Sequence, residues 1–318
     1  MRKPDELEII RIFQRRFGLG ASFVPEDLEA LAMPNGKFFA KVDMLVQSTD
    51  VPKGMTFAEM ARKSIVSCVS DFACKGIKPK YAIISIALPR GISRKSVIGL
   101  ANGFTSASNE FGVKIVGGDV NQGKEVVIDV AMFGVGGKIS RRGGARPGDI
   151  VIATGPFGYT SAGLKILLDG LKAGKAFSRR CKRHVYLPKP RLAFGLNAAR
   201  YFTSSMDSSD GLSATLNDMS KTSKRKFVID RIPTGIDVED FSRKNRVSLT
   251  DLVFCGGEEY EIIATVPKKS IGAIRRIASN LGVPLFEIGL VAAGRGVVLD
   301  SCGTRFALKR CGWVHLRS

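Results

Sequence analysis

Histidine is almost missing from this chain, with only His184 and His315 in 318 residues. So small a supply argues against imidazole acid–base catalysis and against a histidine-based metal site. No apolar run approaches the roughly 20 residues that a membrane-spanning helix needs. The start, Met1-Arg2-Lys3-Pro4-Asp5-Glu6, leads into an amphipathic pattern and not a secretory apolar core, so the expected compartment is the cytoplasm. The six cysteines (Cys68, Cys74, Cys181, Cys255, Cys302, Cys311) show no C-x-x-C pairing. A zinc site or disulfide framework is therefore not expected, and buried free thiols are. The phosphate loop G-x-x-x-x-G-K-[ST] is absent, and Gly134-Val135-Gly136-Gly137 does not complete a dinucleotide fingerprint.

What is present is a globular composition, 44% hydrophobic and 25% charged, long enough for two domains or one large one. Lysine and arginine number 49 against 29 acids, a net charge of +20. That excess fits anionic partners (nucleotides, phosphorylated metabolites or nucleic acid) and equally fits well-solvated basic faces. Residues 6–17 have helical spacing, and Pro25-Glu26-Asp27-Leu28-Glu29 reads as a solvated acidic turn. Lys37 to Val46 reads as a strand with Asp43 inside it, a position that is costly for an acid unless it is paired or metal-bound. Thr56-x-x-Glu59 is a capping box opening a helix to about Lys75, with Asp71 against its apolar face. Strand, helix, strand, helix, strand, strand is the order to about residue 140, an α+β pattern. Val113 to Val116 reads as a buried strand ending at Gly117-Gly118-Asp119, where glycines let backbone N–H groups approach a polyanion. Gly143-Gly144-Ala145-Arg146-Pro147-Gly148-Asp149 marks a boundary, giving domains 1–142 and 143–318 with α/β alternation in the second. There, Asp207-Ser208-Ser209-Asp210-Gly211 opens a helix, as ordinary caps or as a phosphate or metal corner.

Six motifs, in this order, resemble those of thiamine-monophosphate kinases. They are Asp43-Met44-Leu45-Val46, Val69-Ser70-Asp71, Gly117-Gly118-Asp119, Pro147-Gly148-Asp149, Ser209-Asp210-Gly211-Leu212 and Gly256-Gly257-Glu258-Glu259-Tyr260-Glu261. The resemblance extends from Asp27 to Trp313 and implies the two-domain aminoimidazole-ribonucleotide-synthetase-like α/β fold. It further implies an N-terminal sheet that pairs across a homodimer, and a C-terminal α/β domain. Its implied activity is transfer of the γ-phosphoryl of ATP to thiamine monophosphate, with several Mg²⁺ ions as cofactors. By position, the metal ligands would be Asp27, Asp43, Asp71, Asp119, Asp207 and Asp210. Gly117, Gly118, Arg142 and Ser209 would meet the nucleotide, and Asp50, Glu258 and Trp313 the thiamine moiety, with Asp210 and Arg142 assisting transfer. The acceptor phosphate, with a second pKa of about 6, is already ionised at neutral pH and needs no general base.

The chain departs from that pattern at three places. Pro25-Glu26-Asp27 stands where the family usually has Gly-Asp-Asp, Lys41-Val42 where a Ser-Thr pair precedes the strand acid, and Asp50 where there is a histidine. Lys41 either replaces one metal charge by an ammonium or faces solvent. Two rival readings stand beside the kinase. One is another ATP-dependent synthetase of the same superfamily; the other is a basic nucleic-acid-binding protein on an inactive scaffold. No membrane partner is expected, and no nucleic-acid recognition motif is present.

Overall fold

The computed structural model describes residues 5–16, 26–33, 36–301 and 303–316. Pro25, Cys302 and the end of the first helix (residues 17–21) lie outside the described residues. Strands β1 (Glu29–Met33), β2 (Gly36–Val46), β3 (Pro79–Pro89), β4 (Lys114–Gly123) and β5 (Val127–Gly136) form one mixed sheet, ordered β1-β2-β5-β3-β4. A second sheet holds β6 (Ile150–Thr154), β7 (Ser204–Asp207), β8 (Lys226–Ile229), β9 (Ile262–Val266), β10 (Leu285–Ala292), β11 (Gly296–Ser301) and β12 (Thr304–Ala307). Its order is β12-β11-β8-β10-β6-β9-β7. The mixed α/β architecture with two sheets is the one the motifs imply.

Helices α1 (Glu6–Arg16), α2 (Gln47–Asp50), α3 (Phe57–Lys75) and α4 (Arg94–Phe111) belong to the first half. The second opens with α5 (Tyr159–Leu168), α6 (Lys175–Tyr186), α7 (Leu192–Ala198) and α8 (Leu212–Ser223). The helix that positions the site is α3. Its capping box forms as expected: Glu59 N–H donates to Thr56 Oγ1 at 3.2 Å, and Thr56 N–H to Glu59 Oε2 at 2.8 Å. Gly76 stops it at φ +69°, where a Cβ would lie 2.3 Å from the Ala199 methyl. Between those ends α3 is buried almost throughout. Ile65, Val69 and Phe72 pack with Phe39, Leu45 and Val130 of the first sheet, while Ala73 and Cys74 pack with Phe194, Ile262 and Ala264 of the second half. A helix clasped on both sides has no solvent face, so its polar residues must find partners inside.

The first sheet follows period two. Phe39 and Leu45 of β2 point into the core, whereas Val42 and Met44 are 57% and 62% exposed on the outer face. The structure also corrects several expectations. β4 is neither buried nor ended by Gly117-Gly118-Asp119; it is an exposed edge strand that runs on to Gly123. Glu29, read as the last residue of the acidic turn, instead opens β1, which pairs with β2 from Glu29↔Ala40 to Met33↔Gly36. β11 and β12 pair antiparallel, from Val298↔Ala307 to Ser301↔Thr304. Cys255 and Cys311 are joined by a disulfide across 56 positions, against the expectation of free thiols. Only folding brings those two segments together, so spacing could not reveal the pair. Cys68, Cys74 and Cys181 are buried and free, as expected.

Candidate active site

Three acids from distant parts of the chain meet where α3 passes between the two halves. Asp27 precedes β1, Asp71 lies in the last third of α3, and Asp207 ends β7. They are 1%, 4% and 3% exposed, and one carboxylate oxygen from each lies within 4.8 Å of the others. The solvated turn expected at Asp27 is thus a buried corner. Its partners explain why burial is tolerated. Lys75 Nζ, wholly buried, is 2.7 Å from Asp27 Oδ2, and Arg142 Nε donates to Asp27 Oδ1 at 2.8 Å with its NH2 on the same oxygen. Burial disfavours the Asp27 charge, but Lys75 and Arg142 outweigh it and hold the carboxyl down at about 2. Lys75 also donates to the Ser205 carbonyl at 2.8 Å.

Asp71 and Asp207 are less well compensated. Asp207 receives the Ser70 hydroxyl at 2.8 Å; burial first, then the Asp27 charge, pushes it up to about 7. Burial also drives Asp71 well above the usual carboxylate range, against the pull of Lys41 and with repulsion from Asp207 and Asp43. Lys41 Nζ lies 3.0 Å from Asp71 Oδ2 and 3.4 Å from Asp43 Oδ1, so its half-buried ammonium points to the acids. Of the two readings left open for Lys41, the ammonium among carboxylates is the one observed. An oxygen-only, anionic donor set with two under-compensated acids fits a hard divalent cation such as Mg²⁺. Asp71 and Asp207 have free acceptor capacity for it, whereas both oxygens of Asp27 are engaged.

Other residues singled out in the sequence stand apart from this group. Asp43 borders it, sharing the Lys41 ammonium with Asp71. Asp119 is exposed on β4, in a register row with Ser85, Asp129 and Met44, whereas Asp43 shares a row with Val130, Ile84 and Gly118. By that register Asp119 belongs to the outer face and Asp43 to the core face. A Cβ on Gly118 would lie 1.9 Å from the Ile84 carbonyl, so strand packing alone requires this glycine. Nothing lies within 4 Å of a Cβ on Gly117, whose bare backbone is open to a ligand. Arg142 is pinned to Asp27, and its backbone N–H donates to Glu26 Oε2 at 3.0 Å. The Asp210 carboxyl faces Glu6, Arg310, Asp218 and His315 rather than the buried acids.

A second corner forms around the turn 208–211. Glu258 N–H donates to the Ser209 carbonyl at 2.6 Å, Tyr260 N–H to the Ser208 carbonyl at 3.0 Å, and Trp313 N–H to the Asp210 carbonyl at 3.0 Å. Glu258 and Tyr260 both take left-handed φ, +63° and +52°, which costs on the order of 1 kcal/mol each and holds only where surrounding bonds fix it. Gly312 admits no side chain, because a Cβ would lie 2.1 Å from the Asp210 carbonyl. The disulfide Cys255–Cys311 closes the corner from outside. Glu258 pairs with the buried Lys63, which also donates to the Asp50 carbonyl at 2.7 Å. The Asp50 carboxylate itself accepts from Val46 N–H at 2.7 Å. Trp313 is 52% exposed, its ring edge-on to His315.

The acids of Gly256-Gly257-Glu258-Glu259-Tyr260-Glu261 divide their work. Glu259 accepts the Gly158 N–H at 2.8 Å and the Thr160 hydroxyl at 3.0 Å, anchoring the start of α5. Glu261 pairs with Arg191 and Thr154. Glu258 alone turns toward Asp50. Sequence reasoning missed Lys63 and Lys75: α3 is buried on every side, and Lys63 lies opposite the apolar stripe of Ala61, Ile65, Cys68, Val69 and Phe72, so periodicity gave no sign of its burial.

The comparisons agree with this architecture. A family model, AIR synthase related protein, N-terminal domain, matches residues 26–136, the span of the first sheet. Residues 26–136 are therefore of the AIR-synthase-related class. Within it, the thiamine-monophosphate kinase of Nitrosopumilus maritimus is 50% identical over 317 residues, covering 100% of both chains. That of Pyrococcus horikoshii is 32% identical over 319 residues, covering 100% of this chain and 98% of the other. AaThiL complexed with AMPPCP and TMP superposes with a TM-score of 0.87 at 26% identity, over 99% of each chain. This chain belongs to the thiamine-monophosphate kinase family, as the ordered motifs imply.

Proposed function

We propose that this chain transfers the γ-phosphoryl group of ATP to thiamine monophosphate, giving thiamine diphosphate and ADP. The observation that carries this reading is the convergence of Asp27, Asp71 and Asp207 on one buried point. The likeness to AaThiL complexed with AMPPCP and TMP supports it over the whole length. The buried acids form the nucleotide end, and the Asp50–Glu258–Trp313 corner forms the acceptor end. Several Mg²⁺ ions, when bound, offset the charge of the triphosphate and of the group in transfer. Asp71, Asp119, Asp207 and Asp210 are the residues left to hold them, since Lys41 already pairs with Asp43, and Lys75 and Arg142 occupy Asp27.

The rest of the work falls to the chain's own groups. Gly117, Gly118 and Ser209 offer backbone and hydroxyl donors to the nucleotide. Arg142, held by Asp27, is a fixed positive charge whose position costs nothing to organise at the moment of transfer. The acceptor phosphate is ionised at neutral pH, so no residue need take a proton from it. What must be overcome is repulsion between two anions, and positioning is the means. The turn 208–211 links both ends, because it carries Asp210 and fixes Glu258 and Trp313 by backbone hydrogen bonds. Trp313 offers its exposed face to the cationic thiamine ring.

The chain divides, in this reading, into a nucleotide- and metal-binding part, 1–142, and a C-terminal part, 143–318. The outer face of the first sheet exposes Leu31, Val42, Met44, Tyr81, Ile83 and Val135, an apolar patch suited to a second copy in a homodimer. Among the described residues no helix is long and apolar enough to cross a membrane. The cytoplasm, where ATP is abundant, is the proposed compartment. Incubation of the pure protein with Mg-ATP and thiamine monophosphate is expected to yield thiamine diphosphate with stoichiometric ADP. Nucleotide binding without product would move the acceptor assignment elsewhere.

A further inference from the structure

Lysine 41 occupies a place where strand parity turns its side chain toward the carboxylates, half-buried among them. In β2, positions 39, 41, 43 and 45 share the inward parity: Phe39 and Leu45 are buried, and Lys41 lies opposite the buried Met132 of β5. Its ammonium therefore enters the carboxylate group, 3.0 Å from Asp71 Oδ2 and 3.4 Å from Asp43 Oδ1. Those two acids are thereby tied to each other through a monovalent cation. A Mg²⁺ bridging the same oxygens would need contacts of about 2.0–2.1 Å to each, so ion and ammonium cannot share that space.

Resting on the kinase reading for the nucleotide, we propose that the Lys41 ammonium is a built-in counter-cation that replaces one divalent ion at the Asp43–Asp71 edge. The chain then holds its nucleotide with one divalent ion fewer than the same site would with serine at position 41. Lys75 and Arg142 serve the same end at Asp27, whose two oxygens they already occupy. Three fixed cations face four acids, Asp27, Asp43, Asp71 and Asp207, and the open acceptor positions lie at Asp71 and Asp207. A part of the charge that divalent ions would otherwise supply is here encoded in the chain.

The test counts Mn²⁺ bound per full-length chain, by electron paramagnetic resonance with a saturating non-hydrolysable ATP analogue. Lys41→Ser is expected to bind one Mn²⁺ more than the unsubstituted chain. It should also melt at lower temperature in EDTA and recover on adding Mn²⁺. Asp43→Asn, which keeps the lysine but removes one of its acids, is expected to leave the count unchanged. An equal count for the unsubstituted chain and Lys41→Ser overturns the inference, as does loss of a Mn²⁺ in Asp43→Asn. If Lys41→Ser folds only with Mn²⁺ present, the need for a cation at that edge is met as proposed. Absence of any nucleotide-dependent Mn²⁺ binding by the unsubstituted chain overturns the kinase reading and this inference together.

Discussion

Asp71 and Asp119 are both acids carried by motifs of the same family, yet their surroundings are opposite. Asp71 sits on a helix with no solvent face, among three other acids and three cations. Asp119 sits on an open edge strand, its side chain exposed and without a hydrogen bond or ion pair to any described residue. Burial makes the first region a fixed arrangement of charged groups whose positions are set before any ligand arrives. Exposure makes the second adaptable, able to act only on what is brought to it. The difference teaches that a functional acid need not lie in the core, and that its stability cost follows its environment and not its role.

The largest way to break the comparison is Lys75→Met. It strips one cation from Asp27 and leaves a buried charge short of a partner, a loss of about 3–5 kcal/mol by analogy with broken buried pairs. The expected result is a melting temperature lower by on the order of 10 °C. An unchanged melting curve would mean that Asp27 is not held by Lys75. Asp119→Asn probes the other region. Stability should stay within about 0.5 kcal/mol, as for an exposed position away from special features. Phosphoryl transfer should fall by about 100-fold or more if the carboxylate holds metal in the reacting complex. Full activity would remove Asp119 from the metal ligands.

The same contrast explains what could be read beforehand. Periodicity and the Thr56–Glu59 box fixed α3 closely, since both ends carry local stop signals. The ordered motifs gave the family. The acid at Asp43 was flagged because an acid inside an apolar strand is anomalous in itself. Asp27 was misread as solvated, because the groups that bury it, Lys75 and Arg142, are far away in sequence. β4 was misread as buried, because an apolar run does not say whether a strand is central or at the edge. The bond between Cys255 and Cys311 was invisible for the same reason: it depends on two segments meeting at the turn 208–211.

At the acceptor corner effects should be smaller. Trp313→Ala removes an exposed ring whose cation–π contribution is about 1 kcal/mol, so KM for thiamine monophosphate should rise by about 5-fold with kcat little changed. An unchanged KM would reject stacking. Cys255→Ser is expected to raise the same KM, because it frees the segment that carries Gly312 and Trp313 from the loop that carries Glu258. It should also lower melting temperature, since the bond closes a long loop. If Cys255→Ser leaves KM unchanged while melting falls, the bond serves stability alone.

The smallest expected effect is a drift of stability with pH, and its sign separates two acids within the buried cluster. Asp207 is raised to about 7 in the folded chain, above an unfolded value near 3.9. Between those values the folded state binds more protons than the unfolded one, so stability falls as pH rises from about 4 to about 7. Glu259, pushed up to about 7 by burial and then by Glu261, acts in the same direction. Asp27 acts the other way and much lower: held at about 2, it contributes stability that is lost only as pH falls from about 4 toward 2. In EDTA the melting temperature should therefore be a few degrees lower at pH 8 than at pH 5.5. Adding Mg²⁺ should raise it more at pH 8, because a bound cation favours the ionised acids that protons would otherwise occupy. A stability that is flat in EDTA between these values, with an equal Mg²⁺ gain at both, would mean that Asp207 stays ionised without metal. The buried cluster would then be as fully compensated at Asp207 as it is at Asp27.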